Sequence, residues 1–221
     1  MTDPPDAVKA HRYDARRRRV ASRDRREQVL EAARALFLER GYRASTVSAI
    51  AQRAGVHVDT VYELVGPKPT IVRELIERAI SGGAAAVPAR ERDYVAAIRS
   101  AATAREKIAI YAAALAPIMS RVAPLVRALA DAASTDGESR RVWREISDRR
   151  ARNMREFVLD LSAAGGLRTG LSTDEAADTV WLTNSPEAYL MLTEERGWSP
   201  ERYRRWIEAT WSRLLLEDAS P

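Results

Sequence analysis

The chain contains no cysteine. That excludes a disulfide framework, a thiolate metal site and a cysteine nucleophile together, and it fits a reducing compartment. Histidine occurs only at positions 11 and 57, too far apart in chain and setting to build a metal cluster. Lysine occurs only at 9, 68 and 107, against 33 arginines, a skew that points to genome composition before function. No apolar stretch near the N-terminus suits a signal peptide. The longest apolar run, Ile108 to Met119, falls short of the roughly 18 residues that a membrane-spanning helix needs. Alternating strand patterns and internal repeats are absent. These absences predict a soluble, cytoplasmic, all-α protein with no cofactor, metal or membrane contact.

What is present is apolar bulk and unevenly placed charge. Hydrophobic residues make up 46 % of 221 positions, enough for one large domain or two small ones. Residues 1–80 carry 16 Lys/Arg against 11 Asp/Glu, while residues 81–221 carry 20 of each. The whole net charge of +5 therefore sits in the first third. A basic head on a neutral body predicts a polyanion partner at that end, and a solvated arginine-rich tail is the plain alternative.

Start and stop signals divide the chain into three parts. Residues 1–22, with "MTDPPD" and "RRRR", read as a basic flexible arm. Residues 23–80 hold four helices. The first is expected at about 23–40, capped by Ser22, striped by Val29, Ala33, Leu36 and Phe37, and ended by Gly41. Thr46 caps a second, Gly55 and Val56 interrupt it, a third covers about 57–64, and Pro67 and Pro69 flank the start of a fourth. After the junction "GGAAAVPARERD", residues 81–221 read as a helical bundle. Pro117 and Pro124 mark a bend or break there, a long helix covers about 138–164, and Ser172 with Glu175 fits a capping box. Ser199-Pro200 opens the last helix.

The stretch from Thr46 to Leu64 has the offsets of a helix-turn-helix. Two helices crossing steeply need a small residue at the contact, here Ala51, and a glycine at the turn, here Gly55. Apolar residues must then face the third helix, here Ile50, Ala54, Val56, Val61 and Leu64. His57 and Asp59 do not form a catalytic pair, because side chains two apart on a helix do not face each other. No nucleophile is spaced for them either, so no catalytic residue is assigned and the chain is not expected to be an enzyme.

"VLEAARALFLERGYRASTVSAIAQRAGVHVDTVY" resembles the N-terminal signature of the tetracycline-repressor (TetR) family of bacterial transcriptional regulators. The resemblance is strongest from Arg26 to Leu75. It implies that Thr46, Tyr62 and Lys68 touch DNA phosphates, and that His57, Val58, Asp59 and Thr60 present the recognition helix to the major groove. Asp59 departs from the family pattern, in which a small residue is commoner. A carboxylate beside phosphates is repelled, which suggests a purpose such as accepting from a cytosine amino group. "ELVGPKP" also departs, lacking the usual ring. Arg16, Arg17, Arg18 and Arg19 are expected to reach along the backbone or into the minor groove.

The resemblance further implies that the C-terminal part binds a small molecule and forms a homodimer. Tyr111, Met119, Trp143, Met154, Phe157 and Trp181 fall on expected inner faces, with Asn184 as a polar contact. No buried charge pattern stands out, so an apolar or weakly polar effector is expected. Tyr189, Leu192, Trp206, Trp211 and Leu214 carry more bulk than one helix pair needs, and are the expected dimer interface. The resulting expectation is a one-component regulator, a repressor released from a palindromic operator by its effector. A dimeric DNA-binding protein without an effector, and an all-α enzyme, are the alternatives.

Overall fold

The computed structural model describes residues 5–83 and 85–217, with side chains from residue 20 onward. Among these residues the chain is all-helical, with ten α-helices and no strand. It divides into two compact units, Met1–Leu75 and Ile76–Pro221, and the division falls inside a helix.

The first unit opens with α1 (Pro5–Ala44), broken at Gly41. The cap expected at Ser22 does not exist, because residue 22 lies inside α1. Its flanking arginines, alanine and glutamate are good helix formers, and one exposed serine does not stop them. Gly41 has the positive φ expected of it, 77°, but its ψ of 163° is extended, a conformation that only glycine takes without strain. The Ser45 hydroxyl donates to the Gly41 carbonyl at 2.8 Å and holds the bend. Then come α2 (Val47–Ala54), α3 (Val58–Leu64) and the first half of α4 (Lys68–Ser81). Val29, Ala33, Leu36 and Phe37 are all buried, as their stripe predicts, and share the core with Ile50, Ala51, Val61, Ile71 and Val72.

A long-range clamp fixes this unit. The Arg26 fork donates to both Glu74 oxygens at 2.5 Å, and its Nε donates to the Leu64 carbonyl at 3.0 Å. One side chain of α1 thereby holds the end of α3 and the middle of α4.

The second unit contains the end of α4, α5 (Asp93–Ser100), α6 (Ala104–Ala133), α7 (Gly137–Ala163), α8 (Thr173–Thr183), α9 (Pro186–Leu190) and α10 (Pro200–Leu215). A π-helical turn, Met191–Glu195, follows α9. The Ser172–Glu175 capping box is present, and Ser185 and Ser199 each cap a helix that begins with proline. A second capping box, Thr103 with Glu106, opens α6.

α6 is the centre of this unit and packs on α5, α7, α9 and α10. It runs through Pro117 and Pro124 without the break allowed for them. Its buried stripe from Ile108 to Leu129 continues on both sides of each proline and outweighs the lost hydrogen bonds. By length and composition alone α6 could cross a membrane, which the short apolar run had argued against. Yet 56 % of its apolar window is buried inside the structure, as befits a core helix.

Lys107 is buried on α6. Its ammonium donates to the Ile98 and Arg99 carbonyls at 2.6 and 3.3 Å and to Asp160 at 3.0 Å. It caps α5 and ties α6 to α7 in one step. Lys107→Met should lower unfolding stability by about 3 kcal/mol, since it leaves a carboxylate and two carbonyls without their cation. A urea melt checks this, and a loss under about 1 kcal/mol would show the pair to be no better than a surface ion pair.

Candidate nucleic-acid interface and interior cavity

The helix-turn-helix is built by its caps. The Thr46 hydroxyl accepts from the Ala49 amide at 3.0 Å and starts α2. At the other end Gly55 is left-handed, with φ 67° and ψ 32°. The Val56 amide donates to the Ala51 carbonyl at 3.0 Å and the Gly55 amide to the Gln52 carbonyl at 3.2 Å. These are the two crossed bonds of a Schellman motif. The chain then enters α3 through His57, which is extended and makes no side-chain cap.

Ile50, Ala51 and Val61 are fully buried where α2 and α3 meet α1, while Ala54 and Val56 are half-buried. The opposite side of α3 is open. His57, Val58, Asp59 and Tyr62 are exposed, with Tyr62 at 50 %. Thr60 is half-buried, so it sits deeper than its neighbours. Lys68 is already engaged: its ammonium donates to the Tyr42 carbonyl at 2.9 Å and lies 4.2 Å from the Tyr42 ring centre. The side chains of Arg16 to Arg19 lie outside the described residues. Nearby, Arg53 is paired with Glu39 at 2.6 Å, and this hydrogen bond holds the Glu39 carboxyl below its ordinary range.

The second unit has a partly open cavity of about 340 Å³ between α6, α7 and α8, with the end of α4 on its wall. Of the expected ligand residues, Tyr111, Met119, Trp143, Met154, Trp181 and Asn184 line it. Phe157 does not. It packs edge-on against Tyr111, centroids 4.7 Å apart, and against Trp211 at 5.8 Å. The remaining wall is mostly aliphatic, with Leu115, Ile118, Val122, Val126 and Ile146.

Three arginines that the sequence did not single out also reach this cavity: Arg92, Arg149 and Arg150. Only Arg92 of the three is buried, and Arg149 and Arg150 are half-buried, so charge reaches the cavity edge beyond what the sequence led one to expect. Arg92 and Arg149 both pair with Glu77 of α4, Arg92 at 3.0 Å. Arg150 instead donates from Nη1 to the Trp181 carbonyl at 2.6 Å and to Asn184 Oδ1 at 2.7 Å, and lies 4.5 Å from the Trp181 ring centre. Burial pushes its pKa down. Burial also pushes the Tyr111 and Tyr203 phenols up, so both stay protonated. Among 33 arginines no sequence signal separates these three, because position in the packed unit alone makes them special.

Two of the expected interface residues are spent inside the unit. Trp211 is fully buried and donates to the Thr183 hydroxyl at 2.7 Å, and Tyr189 packs against Tyr203 with centroids 4.9 Å apart. Neither reaches the surface, because α10 and α9 turn those faces toward α6. Leu192 and Trp206 are half-buried, and Leu214 is exposed. Leu182 and Met191 are more exposed still.

The turn itself is open to mutation. A Cβ at Gly55 would meet nothing within 4 Å, so any cost there is conformational. Gly55→Ala should destabilise the chain by about 1–2 kcal/mol, and Gly55→Asn by less, since asparagine tolerates the left-handed region. Thermal melts of the two variants check the order, and equal losses would contradict it.

Residues 29–64 match the family model described as bacterial regulatory proteins, tetR family. No curated protein matches the sequence. Among solved structures, native NalD, the secondary repressor of the MexAB-OprM multidrug efflux pump in Pseudomonas aeruginosa, superposes with a TM-score of 0.69 at 19 % identity, over 90 % of this chain and 100 % of that one. The SmeT–triclosan complex gives 0.68 at 17 % identity, over 89 % and 93 %. A Saccharomonospora viridis protein in complex with choline gives 0.65 at 19 %, over 87 % and 98 %. These likenesses are to regulators and not to enzymes. Residues 29–64 are thus similar to the tetR family of bacterial regulatory proteins, and the fold of the chain is similar to that of NalD and of SmeT.

Proposed function

We propose that this protein is a DNA-binding transcriptional regulator that acts in the cytoplasm as a two-fold dimer. The observation that carries this reading is the capped turn at Gly55, which leaves the exposed face of α3 pointing away from the core, within the segment that matches the family model. Val58 and Asp59 are the base-reading candidates. Val58 offers an apolar contact for a thymine methyl, and Asp59 an acceptor for a cytosine amino group. Tyr62 and the capped start of α2 at Thr46 offer phosphate contacts that set register. Lys68, at the head of α4, is held to the Tyr42 and Arg43 carbonyls and places its charge at this end of the unit. Arg16 to Arg19 add positive charge at the same end of the chain.

For dimerisation the exposed apolar residues Leu182 of α8 and Leu214 of α10 are the natural face, with half-buried Trp206 two turns before Leu214. A dimer would place two α3 helices about 34–36 Å apart, or a multiple of it, and favour a palindromic operator.

The cavity is read as the effector site. α4 begins in the first unit and ends in the second, where Glu77 holds Arg92 and Arg149. Because Arg149 also lines the cavity, an occupant that displaces it acts directly on α4. The occupant need favour one position of α4 by only a few kcal/mol to release the operator.

Selection of bound sequences from random DNA tests the central reading. A two-fold symmetric site is the expected result, and no enrichment would overturn it. Asp59→Ala should change the preferred half-site as well as the affinity. A uniform loss across all sequences would remove Asp59 from base reading.

A further inference from the structure

We propose that the cavity of the second unit takes an amphipathic carboxylate, with its apolar body between α6 and α7 and its carboxylate on the side-on edge of Arg150. The inference rests on the cavity being the effector site.

Charge makes the argument. Three guanidiniums reach the cavity, and Arg92 and Arg149 share the single carboxylate of Glu77. Arg150 has no carboxylate within 4.0 Å among the described residues. Glu187, the acid on the cavity wall, is exposed and acts on Arg150 only through space. Arg150 is half-buried and its two acceptors, a carbonyl and an amide oxygen, are neutral; a partly desolvated cation without an ion partner is costly. An anion supplied by a ligand completes the site.

Donor geometry selects the anion. Nη1 is used by Trp181 and Asn184, while Nε and Nη2 have no acceptor among the described residues. Those two atoms form one edge of the planar fork and match the two oxygens of a carboxylate. A phosphate dianion would call for more than one unmatched cation. Ser147 and Asn153 flank Arg150 on α7, while Leu115, Ile118, Met119, Val122 and Ile146 make an aliphatic wall, so the body of the ligand is apolar.

The same residues argue against a quaternary ammonium. Tyr94, Tyr111, Trp143 and Trp181 could suggest an aromatic cage. But the Trp181 ring is already covered by the Arg150 guanidinium, and the three arginines outnumber the acids around them.

Isothermal titration of the full chain with decanoate, decanol and decyltrimethylammonium tests the proposal. Decanoate is expected to bind about tenfold more tightly than either of the others. Arg150→Gln, shown to be folded by circular dichroism and a thermal transition, is expected to lose about tenfold for decanoate and nothing for decanol. Equal binding of acid and alcohol, preference for the ammonium, or no binding of any probe overturns it. So does an Arg150→Gln variant that is folded and keeps its decanoate affinity. Should that variant not fold, the three-ligand comparison on the unaltered chain decides alone. A gel shift on the selected DNA separates this from the functional reading. Decanoate that binds Arg150 yet leaves DNA bound supports the ligand class and counts against release. Selective DNA binding with no preference for the acid overturns the ligand class alone.

Discussion

The last carbonyls of a helix have no partner within it, and they sit at the negative end of its dipole. Among the described residues seven helices end on a cation borrowed from elsewhere. Lys68 reaches the end of α1, Arg26 the end of α3, Arg121 that of α4 and Lys107 that of α5. Arg140, Arg150 and Arg168 do the same for α6, α8 and α10. Most of these bonds cross tens of residues of sequence, so each one both finishes a helix and places it against another. Arginine suits the task because its fork can hold a carbonyl and a carboxylate together, as Arg26 does for Leu64 and Glu74. The abundance of arginine, which composition alone explains by the genome, thus has a structural use.

α3 depends on this most. A helix of seven residues is unstable alone in water, since isolated helices below about 12–15 residues are marginal. One residue, Val61, is fully buried, and one cation, Arg26, holds its last carbonyl. With so little tying it down, Val58, Asp59, Tyr62 and Glu63 of α3 are left exposed. Brevity and exposure are the same property here: a longer or better-buried helix would have less surface to offer a groove.

Local features were legible in the sequence, and distant ones were not. The Gly55 turn, the Thr46 cap and the Ser172–Glu175 box are settled within four or five residues, so spacing reveals them. The start of α1 is not legible because Ser22 looks like a cap wherever it stands, and only the helix-forming residues around it decide otherwise. The dimer residues divided for a similar reason. α10 is apolar on two faces, and periodicity cannot say which belongs to its own unit, so Trp211 and Leu214 looked alike although one is buried and the other exposed. The cavity's aromatic and sulfur side chains followed from helix phase, whereas Arg92, Arg149 and Arg150 did not. A guanidinium's burial is decided by three helices that the sequence separates by dozens of residues.

The two prolines of α6 have a consequence beyond their position. Each removes a rung of the helix ladder, leaving the carbonyls of Ala113 and Ser120 without their usual donors. Both gaps fall on the helix that supplies Leu115, Ile118, Met119 and Val122 to the cavity wall. A rod with two missing rungs bends at less cost than an intact one. Where the cavity of about 340 Å³ adapts to an occupant, α6 is therefore a wall that resists bending less than an unbroken helix would.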